Sequence, residues 1–387
     1  MMRGSHKGLA AAALLGLGLC WAPAGAQTPA AQAGPVSHAV TIDYESGLIL
    51  ACDRCEEPIP PASMSKLMTL VLVAEALERG DITEDTLVTV SERAWRHGAV
   101  SAGSHMFLGL GSQVRVGDLV RGAIIVSAND ACVALAEAVA GSEAAFVQRM
   151  NDRASELGLA TARFRNVTGL DEEGHQISPL DLARLAAIMI REHPEMYAVY
   201  AERSFTFNER TQENRNPLLG AFEGADGVKT GHTDASGYGL IGSAVVNGQR
   251  RIIVFNGSRT MAERRERAVN LIRSAFFDYQ VREIYAAGEV IGEAQVWLGS
   301  RRTAQLVSAT PIYAAANQSV FSNLTASIVY EGPVPAPIAA DQVIAHLVIE
   351  GPGFETVRYP LTAQEPVNRA NPFSRALSGI GIAFGGS

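Results

Sequence analysis

The sequence predicts an α+β domain followed by a small all-β domain, and three patterns carry that prediction. Apolar residues recur at helical spacing over 67–77, 119–140 and 179–192. β-rich runs stand on both sides of that helical stretch, at 39–51 and again after Gly227. Beyond about residue 283 only short strands punctuated by Gly and Pro remain, with no long helical pattern. The chain has 387 residues, 47% of them AVILMFWYC and 19% charged, which is globular and long enough for two cores. Forty acids against 32 bases give a net charge of −8, so no basic surface is on offer for a phosphate backbone. That excludes nucleic acid as a partner.

Residues 1–26 read as an export signal. Arg3, His6 and Lys7 form a basic start, and Leu9 to Leu19 is an apolar stretch too short to span a bilayer. Ala24-Gly25-Ala26 then offers the small residues of a cleavage site. A lipoprotein reading through Cys20 is weaker, because Leu19 is bulky for the position before it. The chain is therefore expected to work outside a bacterial cytoplasm, in a periplasm, with peripheral contact to the inner membrane through its tail as a further option. Cleavage leaves Cys52, Cys55 and Cys132. In an oxidising compartment Cys52-Asp53-Arg54-Cys55 can close a short disulfide. A zinc site would need a second ligand pair, and a thioredoxin-like motif would need a helix where Pro58, Pro60 and Pro61 stand. Cys132 reads as a small apolar residue buried in a helix.

The elements follow in order. Residues 27–35 form a flexible leader. Ala39 to Tyr44 and Leu48 to Ala51 make a hairpin around Glu45-Ser46-Gly47. After Pro60-Pro61 a helix begins, with Leu67, Leu70, Val71, Ala74 and Leu77 on one face and Gly80 at its end. Leu119 to Val126 and Ala131 to Ala140 are two helices separated by Ser127-Ala128-Asn129-Asp130. Pro179 to Glu192 is another, with Ser178 as its N-cap. Val228 to Thr230, Tyr238 to Val246 and Arg251 to Asn256 are strands, the last two joined by an Asn247-Gly248 turn, and Ala268 to Tyr279 is a helix. Ala294 to Leu298, Ala326 to Tyr330 and Val343 to Ile349 are strands of the second domain. The expected division is 1–26 signal, 27–282 first domain, 283–365 β domain and 366–387 tail. In that tail Phe373, Leu377, Ile380 and Phe384 recur at helical spacing beside Arg369 and Arg375, a candidate amphipathic segment for a membrane surface. The plainer alternative is a frayed terminus, or a helix packed on the β domain.

Chemistry concentrates around two lysines. Of the 32 basic residues only Lys7, Lys66 and Lys229 are lysine, and Lys7 leaves with the signal. Arginine cannot lose its proton in a protein, whereas a buried lysine can. In Ser63-Met64-Ser65-Lys66 the lysine follows the serine by one helical turn, so its amine can reach the hydroxyl and serve as its base. Ser127-Ala128-Asn129 presents a hydroxyl and an amide in a tight connection between two apolar helices. Lys229-Thr230-Gly231 sits on a strand, with a fixed positive charge, a hydroxyl and a glycine that permits close backbone approach.

The set S-x-x-K, S-x-N and K-T-G in this order resembles the penicillin-binding proteins and serine β-lactamases. Four longer segments narrow the resemblance to D-alanyl-D-alanine carboxypeptidases of low molecular mass. They are Pro61-Ala62-Ser63-Met64-Ser65-Lys66-Leu67-Met68-Thr69, Gly103-Ser104-His105-Met106-Phe107-Leu108, Asn166-Val167-Thr168-Gly169-Leu170 and Asp226-Gly227-Val228-Lys229-Thr230-Gly231-His232-Thr233. One departure is Ala128, where the subfamily usually has glycine. The resemblance implies a transpeptidase-like domain, an antiparallel sheet with flanking helices and a helical subdomain, before a C-terminal β domain. It implies Ser63 as the nucleophile, Lys66 as its base and Ser127 as the proton relay to the leaving amine. Asn129 would hold the substrate amide, and Lys229, Thr230 and Gly231 the terminal carboxylate, with Arg215 and Arg264 near that pocket and Arg265 as the alternative to Arg264. The N–H groups of Ser63 and His232 would form the oxyanion hole. The implied substrates are peptidoglycan stem peptides, with β-lactams as covalent inhibitors and no cofactor.

Rivals are a β-lactamase, a D,D-endopeptidase and a non-catalytic peptidoglycan-binding protein. Every asparagine from Asn129 to Asn216 lacks a glutamate four residues earlier, so the class A deacylation element is absent. A binding protein needs no nucleophile. A metal centre is disfavoured by eight scattered histidines without an H-x-x-x-H pair.

Overall fold

Asp43 closes the first hairpin: its carboxylate accepts from the N–H and hydroxyl of Ser46, while Gly47 takes the positive φ the turn needs (71°). The two arms are β1 (Ala39–Asp43) and β2 (Ile49–Asp53), antiparallel as the sequence implies. The computed structural model describes residues 37–99 and 103–371. The expected export signal with Cys20, and the Phe373, Leu377, Ile380 and Phe384 stripe with Arg375, lie outside these residues.

A 3-10 turn over Ala62–Ser65 leads into α1 (Lys66–Glu78). The sequence suggests a helix with one apolar face. The structure buries it nearly all round, Met68, Leu72 and Val73 included, because α1 runs through the centre of the helical layer. Then come β3 (Leu87–Thr89), α2 (Glu92–Ala99), β4 (Gln113–Arg115) and α3 (Val116–Arg121). A π-helical turn, Gly122–Val126, delivers the chain to Ser127 and to α4 (Asn129–Ala140). α5 (Glu143–Glu156) and α6 (Pro179–Glu192) complete the layer, and α6 starts as expected, with the Ser178 hydroxyl accepting from the Asp181 N–H at 3.2 Å. α7 (Pro194–Ala198) and the hairpin β5 (Ser204–Phe207) and β6 (Arg210–Glu213) follow.

The main sheet is completed by β7 (Ala225–Thr233), β8 (Gly237–Val246) and β9 (Gln249–Ser258), in the order β2-β1-β9-β8-β7. Its far edge, β7, carries Lys229-Thr230-Gly231. A buried Arg251–Asp43 ion pair at 2.8 Å ties β9 to β1. α8 (Met261–Phe277) packs against β8 and β9. Its first two turns escape the sequence pattern because residues 261–267 are mostly charged. The start is written instead in the cap, where Thr260 Oγ1 accepts from the Glu263 N–H at 3.1 Å and Glu263 accepts from the Arg259 N–H at 3.0 Å.

α8 passes through Asp278 directly into β10 (Tyr279–Tyr285), so the expected division at 282/283 falls inside a strand. The second domain adds β11 (Val290–Trp297), β12 (Thr303–Val307), β13 (Ile312–Asn317), α9 (Gln318–Phe321), β14 (Thr325–Val329), β15 (Val334–Pro335), β16 (Val343–Gly351) and β17 (Phe354–Ala363). β10 pairs with β13, and the other strands form a six-stranded sheet over a core that includes Leu306, Ile312, Leu347 and Leu361. Residues 366–370, the start of the expected tail, lie on this domain. Val367 is buried and exchanges backbone hydrogen bonds with Ile338, and the Ala370 N–H donates to Leu298.

Candidate active site

Ser63 is the partly exposed member of an otherwise buried turn, and Ala62 before it takes a left-handed φ of 48°. Lys66 Nζ donates to Ser63 Oγ at 2.8 Å, and also to the carbonyl of Thr168. Lys66 is completely buried. Burial pulls its pKa down from 10.5 to about 8, with the Arg215 charge acting the same way and Asp130 opposing.

Ser127 ends the π-helical turn in a left-handed conformation (φ 64°, ψ 33°), which aims its hydroxyl away from the helix path. Lys229 Nζ donates to Ser127 Oγ at 2.8 Å and to the Thr230 carbonyl at 3.1 Å. Lys229 is 2% exposed, and its pKa is driven well below 10.5 by burial, then by the charges of Lys66 and Arg215. Burial works against the fixed positive charge expected at Lys229. Both amines are desolvated.

The two halves meet because β7 comes in close. A methyl on Gly231 would lie 2.9 Å from the Pro61 carbonyl oxygen, so only glycine lets the strand pack on the nucleophile turn, as the sequence implies. His232 stacks on Tyr238 across the β7–β8 ladder, ring centroids 3.7 Å apart. Arg264 lies over the same tyrosine, 5.5 Å from its centroid, buried, with Nε unpaired. Arg265 is exposed, whereas Arg264 is buried over the tyrosine that stacks on His232. Arg215 donates to Ser104 Oγ, and the Ser104 carbonyl accepts from the Asn129 N–H at 2.7 Å. Asn129 is buried beneath Gly103. The predicted site residues thus fall into small contact groups, Ser63 with Lys66, Ser127 with Lys229 and Thr230, Arg215 with Asn129 through Ser104, and His232 with Arg264 through Tyr238.

Residues 25–260 match the family model described as D-alanyl-D-alanine carboxypeptidase, and 279–369 match the C-terminal domain of penicillin-binding protein 5. The chain belongs to the D-alanyl-D-alanine carboxypeptidase family. The carboxypeptidase DacD of Escherichia coli (strain K12) is 37% identical over 349 residues, covering 88% of this chain and 90% of that protein. DacA of the same organism is 34% identical, covering 89% and 87%. The crystal structure of penicillin binding protein 5 from Haemophilus influenzae superposes with a TM-score of 0.77 at 34% identity, over 87% of this chain and 98% of that one. The chain is a serine-type D-Ala-D-Ala carboxypeptidase that binds penicillin, on the α+β fold with a β-rich C-terminal domain that the motifs imply.

Two contributors to this carboxypeptidase site escape a motif reading. Thr168 acts through its backbone carbonyl, which no side-chain pattern reveals. Asp130 is fully buried, and its carboxylate accepts from the N–H groups of Met106, Leu108 and Ala131 at 3.0–3.2 Å. It staples the Gly103–Leu108 segment to the start of α4. Its sequence signal was available: one carboxylate heading the apolar run Ala131 to Ala136.

Proposed function

We propose that Ser63 and Lys66 remove the terminal D-alanine from peptidoglycan stem pentapeptides. The carbonyl between the two D-alanines enters the cleft beside β7, and its terminal carboxylate meets Lys229 and Thr230, with Arg215 and Arg264 adding positive potential. Ser63 Oγ attacks that carbonyl as its proton passes to neutral Lys66. The N–H groups of Ser63 and His232 receive the developing oxyanion. The C–N bond breaks, Ser127 passes a proton to the departing D-alanine amine, and Asn129 steadies the remaining peptide amide. Water then hydrolyses the ester and returns the hydroxyl to Ser63.

The observation that carries this reading is the 2.8 Å contact between a buried amine of lowered pKa and a partly exposed serine. The buried Lys229 amine supports the carboxylate assignment: an arriving anion favours its charged form and gives it a charge partner. Ligand evidence from a relative points the same way. Penicillin-binding protein D2 from Listeria monocytogenes, 30% identical with a TM-score of 0.55 over 62% of this chain and 96% of that one, is known in an ampicillin-bound form.

The chain is read as exported and working in a periplasm, with the catalytic domain ending where α8 gives way to β10. None of the described helices is long and apolar enough to cross a membrane, and the amphipathic pattern of the tail is read as a membrane contact. The deciding experiment is mass spectrometry after incubation with penicillin and, separately, with a D-Ala-D-Ala peptide. An adduct on the Ser63 peptide together with released D-alanine is expected. An adduct elsewhere, or none, overturns the assignment.

A further inference from the structure

A neutral lysine that accepts a serine proton has a single lone pair, which must face Ser63 Oγ. Its two N–H bonds then point elsewhere and, in a fully buried site, need an acceptor. The Thr168 carbonyl is that acceptor for Lys66. Thr168 belongs to neither a helix nor a strand, so something else must hold its carbonyl in place.

Asn166 does so. Its Oδ1 accepts from the Thr168 N–H (3.2 Å), the Thr168 hydroxyl (3.1 Å) and the Gly169 N–H (2.7 Å). Its Nδ2 donates to the Leu170 carbonyl (3.0 Å) and to Glu172 (3.1 Å). One amide therefore binds both ends of the turn whose middle carbonyl meets Lys66. The turn is in turn seated on the nucleophile segment. Thr69 Oγ1, one helical turn past Lys66 on α1, donates to the Val167 carbonyl at 2.9 Å. Gly169 (φ 82°) lies so close to Ala62 that a methyl there would overlap the Ala62 carbonyl oxygen.

We propose that Asn166 is a positioning residue for acylation: by fixing the Thr168 carbonyl it orients the Lys66 amine so that its lone pair faces Ser63. This rests on Lys66 being the base. Asn166 touches neither substrate nor Ser63, so a merely structural role must be told apart from a positioning one. A carbonyl acceptor stabilises an ammonium more than a neutral amine, so losing it lowers the Lys66 pKa as well as misaligning it.

The test is the second-order acylation rate with a labelled penicillin against pH, for the full chain and for Asn166→Ala, Asn166→Ser and Lys66→Arg. Asn166→Ala is expected to lower the plateau by ~10²-fold, as small misplacements of reacting groups do, and to move the rising limb to lower pH. Asn166→Ser keeps an acceptor able to close the same turn more weakly and should fall between Asn166→Ala and the unmodified chain. An unchanged rate in Asn166→Ala overturns the proposal. So does a lower plateau with an unmoved limb and no rescue by serine, the mark of a lost fraction of folded protein. Lys66→Arg reports separately on the base: rapid acylation there removes the premise, whereas a dead Lys66→Arg beside a normal Asn166→Ala removes only the positioning role.

Discussion

The site holds two serine–lysine pairs with the same 2.8 Å contact, built in opposite ways. Ser63 and Lys66 are three residues apart, and their meeting is dictated by one helical turn. Ser127 and Lys229 are 102 residues apart, and meet only because a π-helical turn and a sheet edge are brought together by the whole fold. Their electrostatics differ as well. Lys66 settles at about 8, within reach of neutrality in ordinary buffers. Lys229 is also driven well below its usual value, by burial first and then by the charge of Lys66. The lesson is a division of labour in which one amine meets the nucleophile through a local turn and the other is delivered to Ser127 by the sheet edge. Proximity alone would not have separated them.

The largest effect should come from the local pair. Ser63→Ala removes the nucleophile, so penicillin labelling and D-alanine release are both expected to vanish while thermal unfolding stays cooperative. A covalent adduct on that variant would break the comparison at its root. Lys66→Arg comes next. Arginine keeps its proton, so acylation should fall by ~10²–10⁴-fold, the loss typical of a missing general base. Lys229→Arg should retain measurable acylation and mainly weaken capture of a carboxylate-bearing ligand. Equal acylation rates for the two variants would make the pairs equivalent and return the base to Ser127 or water.

The pH profile sharpens the same contrast with no mutation at all. The reactive form of Lys66 is the neutral one, so the acylation rate constant should rise through pH about 8 and level off above it. The form of Lys229 that attracts a carboxylate is the charged one, so ligand capture should weaken as pH rises. Opposite slopes for the chemical step and for capture are the expected result. Parallel slopes would assign both to one amine.

What the sequence made legible follows from the same distinction. The hairpin at Glu45-Ser46-Gly47, the Ser178 cap, the Asn247-Gly248 turn and the Ser63–Lys66 spacing are local, and chain geometry within a few residues decides them. The all-round burial of α1 and the strand at Tyr279 are set by neighbours distant in sequence, where local patterning is silent, while the charged first turns of α8 begin at a local cap, Thr260. Lys229 stands out as one of two lysines left after the signal, and Ser127 and Asn129 by their place between two apolar helices, while their roles come from the motif resemblance. Thr168 and Asp130 stand in segments the sequence singles out, but their roles are not legible there, one because it works through its backbone and the other because only the fold shows which N–H groups it serves.

Asp130 provides a test weighted towards the long-range pair, since its loss reaches the local one only through a further lowering of the Lys66 pKa. Asp130→Ala leaves the Met106 and Leu108 N–H groups without their acceptor, at a cost of about 1–3 kcal/mol for each one left buried and unsatisfied. Denaturant unfolding should show that loss. Among surviving folded molecules the effect should fall on steps that use Ser127 and Asn129, seen as slower D-alanine release, more than on penicillin attack at Ser63. A stability unchanged within about 0.5 kcal/mol would mean that water replaces the carboxylate and that the staple has little energetic weight.

The smallest effect is expected from the brace on the local pair. Cys52 and Cys55 are disulfide-bonded where β2 leads towards Pro58–Pro61 and the nucleophile turn, while Cys132 is a free, buried thiol. Unfolded, unreduced protein should therefore titrate as one free thiol once the first 26 residues, with Cys20, are gone, and three would remove the bridge. The loop it closes spans only three positions in sequence, so the chain-entropy contribution is about 2 kcal/mol at most. The nucleophile turn has its own anchors besides. Ile59 exchanges backbone hydrogen bonds with Ile177 at 3.1 Å, and the Leu180 N–H donates to the Cys55 carbonyl at 2.9 Å. Cys52→Ser with Cys55→Ser should accordingly lower the midpoint of thermal unfolding by several degrees and leave the acylation rate within about twofold. A large loss of acylation in a still-folded double variant would show that the Ser63–Lys66 geometry, for all its sequence locality, depends on a covalent brace upstream of it.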